Sequence, residues 1–212
     1  GKPGCFARGT QVLMYDGSIK NVEDVVVGEQ LMGDDSTPRN VIELCADIDT
    51  MYNVVLDNGC NYVVNSKHIL SLKKIDKDNV PTGKILDIKL CDFITKPTSL
   101  QQLYKWYTVG AEFQDKDINI PPYLLGKWLG AKDISNEDRE NYGLDNITEI
   151  PFDYKVNSFD KRVELLNGFV DSIGIMDTQN CMKIYHKSEE LIKDIVFISR
   201  SLGSVSYTHL RA

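Results

Sequence analysis

The chain has 212 residues, 42% of them hydrophobic and 26% charged, with a formal net charge of -7. That is enough length for one large or two small domains of ordinary globular composition, with an acidic balance ill-suited to gripping a polyphosphate. No uncharged apolar run approaches the ~20 residues of a bilayer-crossing helix, and Gly1-Lys2-Pro3-Gly4 has no signal-peptide hydrophobic region, so a soluble intracellular protein is expected. Cys5, Cys45, Cys60, Cys91 and Cys181 are widely spaced with no C-x-x-C pair, which argues against a disulfide framework and a structural zinc site and suits reduced thiols.

Gly4 precedes Cys5-Phe6-Ala7-Arg8-Gly9-Thr10, followed by Gln11-Val12-Leu13-Met14-Tyr15-Asp16-Gly17. Thr10, Val12 and Met14 alternate as a strand into an Asp16-Gly17 turn, and Ile19, Val22, Val25 and Val27 lead to Gly28. Asp34-Asp35-Ser36 before Pro38 reads as a loop. Met51 to Leu56 and Asn61 to Val64 read as the arms of a hairpin around Asp57-Asn58-Gly59, and the second arm delivers Asn65-Ser66-Lys67-His68 at its end. No helix-period segment interrupts Thr10 to Leu72, so this part is expected to be all β.

A cysteine directly after a glycine can attack the carbonyl before it. Its sulfur displaces the amide nitrogen and the peptide bond becomes a thioester, a step that needs a thiolate and a group to protonate the departing amine. Gly4 leaves the attacked carbonyl uncrowded. A single cysteine near an N-terminus is more commonly a small buried hydrophobe, and a single histidine a satisfied structural residue. The dense motif around Cys5 and the place of His68 just after a strand favour chemistry over those readings.

These two stretches together resemble the N-terminal splicing half of an intein, the Hint fold, and most nearly the vacuolar-ATPase-type inteins, over residues 5 to roughly 110. The resemblance implies a horseshoe-like all-β domain that acts on its own Gly4-Cys5 bond, with Cys5 as nucleophile, His68 as acid and no cofactor. Inteins usually carry Thr-x-x-His where this chain has Asn65-Ser66-Lys67-His68. An asparagine side chain offers both donor and acceptor, so Asn65 is expected to contact the scissile amide or the oxyanion in place of the threonine, its plainer role being a turn residue that closes the strand.

Beyond the second motif, Ile75 to Asn79 reads as a charged loop and Ile85 to Leu90 as a strand. Ser99 to Tyr107 reads as a helix capped by Ser99, with Tyr104, Trp106 and Tyr107 expected in core packing rather than base stacking. The polar run Gln114-Asp115-Lys116-Asp117 before Pro121-Pro122 marks a boundary, giving an extein remnant at 1–4, a splicing domain at 5–118, a second domain at 119–203 and an atypical tail at 204–212.

Tyr123 to Gly130 is an apolar helix with small residues at Gly126 and Gly130, and Leu165 to Gly174 is another with Gly168, so the two can pack backbone to backbone. With Ile150 to Ser158 before the second helix and Leu191 to Gly203 after it, this part resembles the LAGLIDADG homing endonucleases often inserted in inteins, an α+β fold. In that family an acidic residue ends each helix and the pair holds divalent metal for phosphodiester hydrolysis. The corresponding positions here are Ala131 and Ile173; Asp133 and Asp171 lie near but out of place, so no metal ligand is assigned. Residues 121–212 carry 11 Lys and Arg against 14 Asp and Glu, which opposes DNA binding. The connection from Ala131 to Val163 is also short for a four-stranded DNA-reading saddle. The resemblance therefore implies a decayed endonuclease.

Inteins finish with a His-Asn pair followed by a nucleophile, whereas this sequence runs Ser204-Val205-Ser206-Tyr207-Thr208-His209-Leu210-Arg211-Ala212, with His209 read as incidental. The expectation is an intein truncated at the C-terminus whose partners are its own host protein and a separate C-terminal intein part. It would be cytoplasmic or nuclear as the host dictates, with no membrane contact. The alternatives are a homing endonuclease that cuts double-stranded DNA with Mg2+, the only reading that brings in a cofactor, and a folded but inert fragment with unpaired strand edges.

Overall fold

The structure is a computed structural model and describes residues 4–55, 61–76, 78, 80–106, 108–178 and 182–204. Gly1 to Pro3, the turn Asp57-Asn58-Gly59 with Leu56 and Cys60, Asn79, Tyr107, Cys181 and the tail from Val205 with His209 lie outside the described residues. The chain divides into two compact units, Gly1–Gly33 with Thr37–Thr108, and Asp34–Ser36 with Val109–Ala212.

The first unit is built from small antiparallel sheets. Strand β1 (Gln11–Leu13) pairs with β2 (Ile19–Asn21), and β3 (Gln30–Met32) with β4 (Pro38–Asn40). Between β1 and β2, Gly17 takes a φ of 87°, which a β-carbon would resist, and Asp16 Oδ1 accepts from the Ser18 hydroxyl and amide at 2.6 and 2.9 Å. Those contacts hold the Asp16 carboxyl below its usual range. Strand β5 (Met51–Val55) pairs with β6 (Asn61–Asn65), with Met51 opposite Asn65 and Tyr52 opposite Val64. Strand β7 (Ile69–Ile75) lies between β8 (Pro81–Lys89) and β9 (Tyr104–Trp106), and its register shifts between Lys73 and Lys74.

Val64, Leu70, Leu72 and Leu90 form the buried centre here, with Val54, Ile88, Phe93, Tyr104 and Trp106 packed on it. Each such aliphatic side chain contributes about 1.5–3 kcal/mol by leaving water.

This unit is not all β as the sequence suggests. Helices α1 (Leu90–Ile94) and α2 (Thr98–Gln101) follow β8. The helix expected over Ser99 to Tyr107 is only α2; Pro97, not Ser99, stands at its cap position. Tyr104 to Trp106 turn instead into a strand, because the alternation Tyr-Lys-Trp lets Tyr104 and Trp106 pack on the buried centre and Trp106 stack on Tyr62 at 5.1 Å between centroids. That burial, with pairing to β7, outweighs a weak helix propensity. Strand β8 also starts at Pro81, four residues earlier than the apolar alternation from Ile85 implies.

The second unit is mainly helical: α3 (Pro122–Ala131), α4 (Asn136–Asn141), α5 (Phe152–Lys155), α6 (Phe159–Ile173) and α7 (Glu189–Ser201). Among its described residues the only strands are the pair β10 (Ile175–Met176) and β11 (Met182–Lys183). Leu125, Trp128, Leu129, Leu144, Leu165, Phe169, Leu191, Ile195 and Ile198 share one core. Ser188 caps α7 by accepting from the Leu191 amide at 3.2 Å, which meets one of the donors a helix start leaves open.

Helices α3 and α6 meet at their glycines. A β-carbon on Gly126 would lie 2.2 Å from the Leu165 carbonyl oxygen and one on Gly168 2.0 Å from the Tyr123 carbonyl oxygen, so both obstacles are backbone. Gly126→Ala should therefore force the helices apart and cost about 1–3 kcal/mol or more, read as a lowered urea midpoint, despite alanine's better helix propensity. An unchanged or raised midpoint would show that the crossing can yield.

Candidate active site

The Cys5 segment is held as an extra strand on β6. Phe6 bridges antiparallel to Val64, the Ala7 amide donates to the Val63 carbonyl at 2.8 Å, and the Asn65 amide donates to the Cys5 carbonyl at 3.0 Å. Strand β6 thus lies between β5 and the segment carrying the expected nucleophile. Behind Ala7 the chain turns through Arg8-Gly9, where Glu23 accepts from the Gly9 amide at 2.7 Å and from Arg8 Nε at 3.3 Å. The Gly9 amide is the main reason that the Glu23 carboxyl sits below its usual range. The Val22 amide donates to the Thr10 carbonyl at 2.8 Å, so the Ile19–Val27 half of the first motif anchors the Cys5 half.

All three residues expected in the chemistry meet around the Gly4–Cys5 bond. The Cys5 backbone N–H, the nitrogen of that bond, donates to Asn65 Oδ1 at 2.9 Å. Asn65 is 2% exposed, and its Nδ2 donates to Asp49 Oδ2 at 3.4 Å. His68 follows after a tight turn in which its amide donates to the Asn65 carbonyl at 3.2 Å, and its own carbonyl accepts from Leu90 at 2.9 Å. The imidazole packs on the Phe6 ring with centroids 4.5 Å apart. A β-carbon on Gly4 would stand 2.8 Å from the His68 Cα, so glycine lets the peptide before Cys5 lie directly on the His68 backbone. Cys5 is partly buried, and burial holds the His68 imidazole below its ordinary pKa of 6.5. At neutral pH the ring is therefore mostly uncharged.

Residues 5–92 match the family described as Hom_end-associated Hint. The chain carries a Hint domain at its N-terminal end. The catalytic A-type chain of a V-type proton ATPase from Candida tropicalis is 36% identical over 92 residues, covering 39% of this chain and 8% of that protein. The chain thus corresponds to a small part of that relative's length. Together the two findings support a Hint intein.

Reading the sequence alone missed Asp49. Nothing in the spacing of the loop before β5 separates it from Asp47; only the register that sets Met51 opposite Asn65 carries it to the Asn65 amide. Among the described residues, no helix is long and apolar enough to cross a membrane.

Proposed function

We propose that the Hint domain performs the first step of protein splicing on its own chain, an acyl shift from the nitrogen to the sulfur of Cys5. The observation that carries this is the clamp on the Gly4–Cys5 peptide, in which the amide nitrogen is held by Asn65 Oδ1 while Gly4 lies on the His68 backbone. The Cys5 sulfur attacks the Gly4 carbonyl carbon, the C–N bond breaks, and the acyl group ends on sulfur as a thioester beside a new amine. The thiol proton balances the step: a neutral His68 takes it from sulfur and, as acid, returns it to the departing nitrogen. Asn65 keeps the scissile N–H in one direction while this happens. No group outside the chain is consumed.

The substrate is then a host protein in which the domain lies as an insertion, which agrees with the match to only 8% of the length of the V-type ATPase relative. Later splicing steps would draw on a C-terminal splicing segment with its own asparagine and nucleophile. The second unit we read as a LAGLIDADG-type domain that has lost cleavage. In support, α3 and α6 pack through Gly126 and Gly168, and the helices end at Ala131 and Ile173, neither of which can ligate a metal. The nearest carboxylates have other partners: Asp133 pairs with Lys127 at 2.9 Å, and Asp171 accepts from the Tyr123 hydroxyl at 2.9 Å.

The test is a fusion with a reporter protein ahead of Gly1, exposed to dithiothreitol at neutral pH. A thioester at Cys5 is released as a free reporter of the mass that ends at Gly4; a folded fusion that stays whole would refute the reading.

A further inference from the structure

Asn65 can serve the scissile amide only in one of its two orientations. With Oδ1 toward Cys5 it accepts the N–H; turned by half a revolution about its last torsion it would set an NH2 against that N–H, donor against donor. Because Asn65 is almost fully buried, both ends of its amide have to be met by protein groups.

We infer that Asp49 is a positioning residue that fixes this choice. Its carboxylate can only accept, so it is met by the NH2 end of Asn65 and leaves the oxygen end for Cys5. The carboxylate is itself oriented. The Thr50 amide donates to its Oδ1 at 2.8 Å, which leaves Oδ2 for Asn65 Nδ2. Strand pairing supplies the placement, since Met51 opposite Asn65 brings the residues just before β5 to the end of β6. At 3.4 Å the contact is long for a directed hydrogen bond, so Asp49 acts chiefly through its charge on the amide dipole in a partly buried setting. An effect of about tenfold follows, well short of what the reacting groups contribute. The inference rests on the reading of Cys5 as nucleophile.

The experiment uses the full chain behind the same reporter. Asp49→Ala should slow thiol release about tenfold. Asp49→Asn should slow it at least as much at unchanged volume, because its oxygen is drawn to the Thr50 amide and its NH2 then faces the NH2 of Asn65. In an Asn65→Ala background neither change should matter by more than about twofold, since the residue through which Asp49 acts is gone. A second readout is the proton shift of the backbone amide at position 5, taken in a Cys5→Ala background so that nothing cleaves. It should move upfield on Asp49→Ala and stay put when Asn65 is already alanine.

Full release by both Asp49 variants, or a loss that persists undiminished in the Asn65→Ala background, overturns the inference. If the parent fusion itself is not released, the splicing reading has failed before Asp49 is touched. The amide shift then still decides whether Asp49 orients Asn65.

Discussion

Cys5→Ala is expected to abolish thiol-induced release of a reporter fused ahead of Gly1, and His68→Ala to slow it by about 10²–10⁴-fold. The difference between the two follows from what each group supplies. Without sulfur there is no atom to receive the Gly4 acyl group, so no thioester can form. Without the imidazole the attack remains possible, but the departing nitrogen has to find its proton in water while the Cys5 thiol has lost its base. Both variants should keep the parent's far-UV spectrum, because Cys5 is held through its backbone N–H and carbonyl and His68 through backbone contacts to Asn65 and Leu90. Release from the Cys5→Ala fusion would mean cleavage by some other route and would remove the splicing reading altogether.

The acid limb of the reaction has a definite sign. Burial lowers the His68 pKa from 6.5, and the productive state holds one proton between thiol and imidazole. Release should therefore keep its rate as pH falls to 6.5 and decline only below it, as His68 takes a second proton. Folding stability shares the cause. In the unfolded chain the ring protonates at about 6.5, whereas the folded environment resists the charge, so stability is full above that pH and is lost as pH falls from 6.5 toward the folded value. His68→Gln should flatten that part of a stability-pH curve; a midpoint falling equally steeply in the variant would assign the slope to other groups.

Strands were legible where local pattern and local pairing agree. The Asp16-Gly17 turn with its flanking arms, and the arms Met51–Val55 and Asn61–Asn65, need only alternation and a turn residue, and they pair with their sequence neighbours. Tyr104 to Trp106 was misread as helix because its strand partner is β7, some thirty residues earlier, and only the stacking of Trp106 on Tyr62 makes that pairing favourable. The site followed the same division. Gly4, Cys5, Asn65 and His68 stand in two compact motifs and could be named, and the structure places them together around one peptide bond. Asp49 has no motif, and only strand register reveals it.

Arg162→Ala should destabilise the second unit by about 3–5 kcal/mol, comparable with the whole stability of many domains. Arg162, on α6, is fully buried. Its guanidinium donates to the Asn157 carbonyl at 2.8 Å, to the Ser201 hydroxyl at 2.5 Å and to the Ala111 carbonyl, and it lies 4.8 Å from the centroid of the Phe113 ring. One side chain thereby ties the start of α6 to the end of α7 and to the 111–113 segment. The charge itself is a cost, for burial lowers the Arg162 pKa, with Glu112 opposing that shift. Removing the side chain relieves this cost but leaves two backbone carbonyls and a hydroxyl without their donor, and it opens a cavity that α6 and α7 cannot close without moving. Arg162→Met separates the two effects: it refills most of the volume while restoring no donor. Hydrogen exchange at Leu165 and Phe169 in α6 is the measurement, since it reads the opening of this core directly. Protection should fall most in the alanine variant and by an intermediate amount in the methionine variant. Equal protection in Arg162→Met and the parent would mean that the arginine is only a space-filler there, and its hydrogen bonds no more than neutral.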